Sequence, residues 1–211
     1  MENKKIIPAI LAGSKFEFEE KLAKVSSFAK EIQIDITDGY FTENKTLELL
    51  ELEKLPEGII FELHLMVNDP LDYLGHAKRL GIKRIIFHDE VEEDTTSLIE
   101  KIKKESFEVF LAINPETELS SLEKHIPNID GVLIMSVEPG YNGQELIMES
   151  LGRAKLLKSK HPELLISMDG GIKKENIERV FDSGVSVAYV GSEILDAENP
   201  QEEYKFLCEK I

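Results

Sequence analysis

Eight short apolar runs return along the chain at nearly even intervals, with amphipathic segments of helical spacing between them. This alternation predicts an α/β protein folded as a single (β/α)8 TIM barrel over residues 1–211. A second observation supports closure: most runs are continuously apolar and β-branched, the pattern of parallel strands covered on both faces. A third is the count, since eight strand–helix units in 211 residues lie near the lower end of the size range for such barrels. An open doubly wound sheet is the runner-up. It calls for fewer strands and, to bind a dinucleotide, an early glycine-rich turn, whereas the first run is followed only by Leu11-Ala12-Gly13-Ser14. No residue pattern recurs from unit to unit, and no low-complexity linker marks a domain boundary.

The expected strands are Lys5 to Leu11, Glu31 to Ile36, Ile59 to Val67, Arg84 to His88, Glu108 to Ile113, Gly131 to Val137, Leu164 to Met168 and Val187 to Val190. Phe16, Phe18, Leu22, Val25 and Phe28 carry helical spacing after the first; Leu98, Ile99 and Ile102 after the fourth; Ile177, Val180 and Phe181 after the seventh. In such a barrel the chemistry sits where strands end and loops begin. Polar residues and glycines gather at those positions here, from Asp35 and Asp38 through His64, His88-Asp89 and Asn114 to Asp169-Gly170-Gly171 and Gly191-Ser192.

With 42% hydrophobic and 31% charged residues, the composition is that of an ordinary globular protein. A formal net charge of −16 argues against nucleic acid or an anionic membrane surface as a partner. A phosphorylated small molecule would have to be held locally, by backbone N–H groups or a metal. The lone Cys208 excludes an intrachain disulfide or a multi-cysteine metal site and fits a reducing, cytoplasmic setting. The run Ile6 to Ala12 holds Pro8 and soon meets Glu17, so it is too short and interrupted for a signal peptide or membrane span.

The second strand is the chemical centre of the sequence. Ile32, Ile34 and Ile36 alternate with Gln33 and Asp35, so the amide and the carboxylate share a face. In a sheet covered on both sides these groups need partners; a solvent-facing side of an edge strand would be the plainer explanation. Three further stretches suit an anion. Val137-Glu138-Pro139-Gly140-Tyr141-Asn142-Gly143-Gln144 is turn-rich, Gly170-Gly171 leads towards a helix expected from near Lys173, and Gly191-Ser192 opens a short helix. Together they follow strands six, seven and eight, where barrels of this kind bind phosphate.

In order, Ile-Asp-Ile-Thr-Asp-Gly, His-Leu-Met-Val, Met-Ser-Val-Glu-Pro-Gly-Tyr-Asn-Gly-Gln, Asp-Gly-Gly and Val-Gly-Ser resemble the ribulose-phosphate 3-epimerase family over nearly the whole chain. The resemblance implies a barrel of the ribulose-phosphate-binding type that inverts C3 of D-ribulose 5-phosphate to give D-xylulose 5-phosphate. It implies Asp35 and Asp169 as the two acid/base groups, and one divalent metal ion (zinc, iron, manganese or magnesium) on Gln33, Asp35, His64 and Asp169. Substrate contacts map to Ala9, His64, Met66, Met135, Gly140, Tyr141, Asn142, Gly143, Gly170, Gly171, Gly191 and Ser192. Many members of the family self-associate, so a homo-oligomer is a further expectation.

The chain departs from the family pattern at four positions. Gln33 stands where the family has histidine, Ala9 where it has a substrate-binding serine, Thr37 where it has methionine, and Asn142 where glycine or alanine is frequent. An amide oxygen is a poorer zinc or iron ligand than imidazole and suits harder ions. The departures fall on the reacting side of the site, while the phosphate side, Asn142 apart, is nearly intact. They leave open epimerisation of a six-carbon ketose 6-phosphate, or a sugar-phosphate-binding relative without turnover. Of the remaining residues, His88-Asp89 is expected as a rim polar pair, and His76, His125 and His161 as surface residues. Glu48 to Glu57 and Glu90 to Asp94 are expected as solvated, and Cys208 carries no chemistry.

Overall fold

Each apolar run forms a strand within two residues of its expected bounds. A computed structural model describes residues 4–211. The strands are β1 (Lys5–Leu11), β2 (Glu31–Thr37), β3 (Ile60–Met66), β4 (Arg84–His88), β5 (Glu108–Ile113), β6 (Gly131–Met135), β7 (Ile166–Asp169) and β8 (Val187–Val190). All pair in parallel in chain order, and β8 pairs with β1 to close the barrel. The helices are α1 (Lys15–Val25), α2 (Leu74–Leu80), α3 (Thr95–Lys104), α4 (Glu149–Lys160), α5 (Ile177–Asp182), α6 (Ser192–Leu195) and α7 (Pro200–Glu209).

The alternation is incomplete at two crossovers. Between β2 and β3, and between β5 and β6, the described connections hold only 3-10 turns. Pro56 and Gly58 interrupt the first connection, Pro115 and Pro127 the second, and proline cannot continue a helix interior. Helix α1 starts at a well-formed cap, with Ser14 Oγ accepting from the Glu17 N–H at 3.2 Å and the Glu17 carboxylate accepting from the Gly13 N–H at 2.8 Å. Its buried stripe is Phe18, Leu22 and Val25; Phe16, expected on that stripe, is exposed because residues two apart point to different sides of a helix.

Strand alternation sorts the core into two layers. Ile32, Ile34 and Ile36 face outward, into the annulus between sheet and helices, together with residues such as Phe18 and Leu22. Ile7, Ala9, Ile86, Phe110, Leu133 and Tyr189 fill the barrel axis. Below them, at the N-terminal ends of the strands, lies a buried ionic group. Arg84 bonds Glu62 through Nη1 and Glu108 through Nη2, the latter at 2.9 Å, and its guanidinium lies 4.2 Å from the centre of the Phe110 ring. Gly131 makes room for that ring, since a Cβ there would overlap it.

Burial pushes the Glu62 carboxyl from 4.5 up to about 7, against the opposing pull of Arg84. An acid with a raised pKa in the fold holds its proton more tightly than the unfolded chain does, so its contribution is present below pH 4.5 and lost as the pH rises through 7. Relative to Glu62→Gln, the unmodified protein should therefore lose stability between those limits, by on the order of 3 kcal/mol. Urea unfolding of both proteins at pH 5 and pH 8 checks this, and a difference independent of pH would show that Glu62 stays ionised.

Candidate active site

Parallel register assembles the polar cluster at the opposite, C-terminal rim. Gln33 and Asp35 project into the barrel from β2, and the pairing of β2 with β3 sets His64 beside Asp35. From the far side, β7 brings Asp169, which its neighbours flank with Met135 and Tyr189. The Gln33 Nε2 group donates to Asp35 Oδ1 at 2.8 Å and to Asp169 Oδ2 at 2.7 Å. His64 Nδ1 lies 3.1 Å from the same Asp35 oxygen and 3.6 Å from the same Asp169 oxygen. Gln33 and His64 are wholly buried and Asp35 nearly so.

Such a cluster perturbs its own protonation. Burial raises the Asp35 carboxyl above the ordinary carboxylate range, with the neighbouring Asp169 charge adding to the rise while His64 and Gln33 oppose it. Burial works against charge on His64, but its bonds to Asp169 and Asp35 outweigh it and lift the imidazole to about 9. The group can therefore hold a proton between an imidazole and two carboxylates.

It also fits a divalent cation. Asp35, His64 and Asp169 each offer a ligand atom within 4.8 Å of the others. The Gln33 Oε1 atom is buried without a hydrogen-bond partner, and which end of an amide faces its neighbours follows from the surrounding hydrogen bonds. With the amide turned so that this oxygen faces the cluster, Gln33 would offer a cation a neutral donor. Two carboxylates, one imidazole and an amide oxygen form a set that tolerates hard or borderline ions.

Next to the cluster opens a cleft. Asp35, His64, Ala9, Met66, Met135 and Tyr189 form its floor, and Gly140–Gln144, Gly170–Ile172 and Gly191-Ser192 form a wall. Every expected substrate-contact residue lines the cleft, while Gln33 sits beneath it. Among the described lining residues there is no Lys or Arg. An anion at this wall would have to be met by backbone N–H groups and the Ser192 hydroxyl. Close approach is built in: Gly170 and Gly171 have φ of 112° and 63°, and a Cβ on Gly171 would overlap the backbone of Glu145 and Leu146. The loop before Glu145 is tied down by Asn44 Nδ2 donating to Gly140 O at 2.7 Å and by Ser136 Oγ donating to Gly170 O at 2.7 Å.

Four sequence expectations need correcting. The helix expected near Lys173 begins at Ile177, because Asn176 folds the intervening residues into a turn, accepting from the Lys173 N–H at 2.8 Å and donating to Gly171 O at 2.9 Å. His88 is no rim residue; it is fully buried with Nε2 2.9 Å from His64 Nε2, and Glu90 behind it is not free in solvent but lies 3.2 Å from His88 Nδ1. His125 is buried as well, 3.7 Å from Asp89 and away from the cleft. For His88, alternation along β4 was the available signal: Arg84, Ile86 and His88 share the inward face.

The model of the Ribulose-phosphate 3 epimerase family matches residues 5–195. A ribulose-phosphate 3-epimerase of Aquifex aeolicus is 33% identical over 203 residues, covering 93% of this chain and 91% of its own. Its counterpart from Schizosaccharomyces pombe is 27% identical over 208 residues, covering 96% and 91%. Among solved structures, a 3-hexulose-6-phosphate synthase aligns with a TM-score of 0.70 at 18% identity, over 98% of this chain and 99% of its own. A phosphoribosyl anthranilate isomerase from Thermus thermophilus aligns at 0.67 and 15%, over 98% and 97%. At these identities the two structures show the shared fold.

Two substitutions probe the two halves of the site. Gln33→His exchanges an amide oxygen for imidazole nitrogen and should tighten zinc binding by about tenfold or more, as read by competition with a chelator. Gly171→Ala should raise KM for a phosphorylated substrate with a smaller effect on kcat, and lower stability by about 1–3 kcal/mol, as steady-state kinetics and thermal unfolding would show.

Proposed function

The chain belongs to the ribulose-phosphate 3-epimerase family, and from that premise we propose that it interconverts D-ribulose 5-phosphate and D-xylulose 5-phosphate through Asp35 and Asp169. The observation that carries this reading is the convergence of two carboxylates from strands on opposite sides of the barrel onto one amide nitrogen, at 2.8 and 2.7 Å.

Inverting a carbon beside a carbonyl requires a proton to leave one face and another to arrive at the opposite face. A planar enediolate lies between the two transfers. Asp35 and Asp169, fed from β2 and β7, can stand on either side of such a plane and exchange the roles of base and acid in the two directions. Burial raises the pKa of Asp35, which favours its protonated, acid form. Gln33 and a protonated His64 offer N–H groups towards the carboxylates, so negative charge at the cluster is balanced as protons move. Met66 and Met135, both nearly buried, present apolar surface to the reacting carbons and exclude water.

A divalent ion held by Asp35, His64, Asp169 and the Gln33 carbonyl would supply positive charge opposite the developing enediolate. The phosphate is assigned to the glycine wall, with Gly140, Tyr141, Asn142, Gly143, Gly170, Gly171, Gly191 and Ser192 around it. Among the described residues no helix is long and apolar enough to cross a membrane. The proposed setting is cytoplasmic, where a small sugar phosphate is the sole partner the cleft requires.

Proton exchange at C3 in heavy water tests the mechanism directly. Asp35→Asn and Asp169→Asn should each slow epimerisation by about 10²–10⁴-fold. Exchange without inversion should persist only for the epimer whose proton faces the surviving aspartate. If both variants epimerise at the rate of the unmodified protein, the two-aspartate mechanism fails. A six-carbon ketose 6-phosphate run in competition ranks chain length.

A further inference from the structure

His64 touches the reacting cluster through Nδ1 alone; its other nitrogen faces away, into a chain of groups for which the two-aspartate mechanism has no use. His64 Nε2 lies 2.9 Å from His88 Nε2. The two rings are nearly coplanar, with planes 16° apart and centroids 5.1 Å apart, the arrangement of an N–H···N bond lying in both ring planes. His88 Nδ1 is 3.2 Å from Glu90 Oε2. Glu90 is itself anchored, since its Oε1 accepts from the Asn114 N–H at 2.8 Å and from the Thr117 hydroxyl. Phe41 covers His88 with its ring centre 4.8 Å away, and both imidazoles are fully buried.

We propose that His88 and Glu90 are positioning residues: Glu90 fixes His88, and His88 holds the His64 ring with Nε2 protonated and the Nδ1 lone pair turned to Asp35 and Asp169. The direction follows from what each group can do. An ionised carboxylate only accepts, so His88 Nδ1 carries the hydrogen that meets Glu90. In a neutral ring His88 Nε2 is then a bare acceptor. The single proton between the two Nε2 atoms therefore belongs to His64, and its Nδ1 is left as a lone pair. His64 Nδ1, the atom left to the cluster, faces Asp35 at 3.1 Å and Asp169 at 3.6 Å. The relay thus keeps the cluster-facing nitrogen ready for either a proton or a divalent cation, the part that outer carboxylates play for metal-binding histidines. This inference rests on reading the cluster as the reacting centre, but its test does not depend on turnover.

The test uses the full chain with ¹⁵N-labelled histidine, and zinc as the diamagnetic probe. In the zinc-loaded protein, His64 should show a protonated Nε2 whose hydrogen exchanges slowly with solvent. His88→Phe keeps the packing on Phe41 and removes the acceptor. It should abolish that slow hydrogen and weaken zinc binding about 10–100-fold by chelator competition. His88→Gln restores an acceptor oxygen and should recover zinc affinity to within about threefold. In Glu90→Ala the His64 Nε2 hydrogen should exchange with solvent faster than in the unmodified zinc-loaded protein, because His88 is no longer fixed as its acceptor. Equal zinc affinity and an unchanged Nε2 hydrogen in His88→Phe would overturn the relay, as would a Gln variant no tighter than the Phe variant. Should the Phe variant fail to fold, the unmodified protein still decides: His64 protonated on Nδ1 and bare at Nε2 with zinc bound refutes the proposal. A protein that shows the relay signal yet does not exchange the C3 proton supports the relay and refutes the epimerase mechanism.

Discussion

Two carboxylates held on one amide nitrogen are the constraint from which the rest of the architecture follows. Asp35 and Asp169 approach the same Gln33 Nε2 atom, at 2.8 and 2.7 Å, and the nearest ring nitrogen belongs to His64. Like charges this close, out of water, repel strongly unless protons, donors or a cation lie among them. Barrel closure is what forces them together. β2 and β7 lie far apart in strand order, and their inner faces oppose only because β8 pairs with β1. An open sheet with the same strands would leave Asp35 and Asp169 on one face but five strand spacings, roughly 24 Å, apart. The register of β2 on β3 then supplies His64 at the level of Asp35.

The barrel keeps its charges in two separate tiers. At the bottom, Arg84 bridges Glu62 and Glu108 against the Phe110 ring. At the top sits the aspartate and histidine cluster. Ile7, Ile86, Phe110 and Leu133 belong to the apolar column along the axis between them. The glycine wall proposed to hold the phosphate adds no basic side chain, which suits a chain of net charge −16: glycine backbone can meet an anion without placing a lysine's charge near the carboxylates.

Much of this is legible in the sequence, for reasons that can be named. Strand alternation with period two is enough to put Gln33 and Asp35 on one face, and the glycines after strands six, seven and eight mark the wall that barrel closure assembles. What is not legible depends on which neighbouring strand or loop a residue meets. His88 reads as one half of a rim pair because its sequence neighbour is Asp89, yet its partner is His64 on the adjacent strand. Glu90 reads as solvated because it opens an acidic run, whereas the Asn114 N–H and the Thr117 hydroxyl draw it inward. The two crossovers without an α-helix are masked by apolar residues such as Leu49 and Leu122, which bury themselves from 3-10 turns as they would from a helix. Local spacing records which face a residue takes; it does not record which chain segment meets that face.

The departures from the family pattern acquire a physical sense at this point. Gln33 is neutral at any pH, so where the family has an ionisable ring this chain has none. Among the described residues, His64 remains the only side chain in contact with Asp35 and Asp169 able to become cationic. Thr37, buried with its hydroxyl unpartnered, does not line the cleft, and Ala9 gives the floor beside Gln33 no polar atom. None of these residues replaces the lost imidazole. The whole demand for a correctly protonated nitrogen at the reacting centre therefore falls on one ring, and a ring in that position cannot be left free to choose its tautomer. A buried, coplanar His88 backed by an anchored Glu90 removes that freedom. On the proposed reading, Gln33 in place of a second imidazole is tolerable because the orientation of the remaining histidine is fixed from behind.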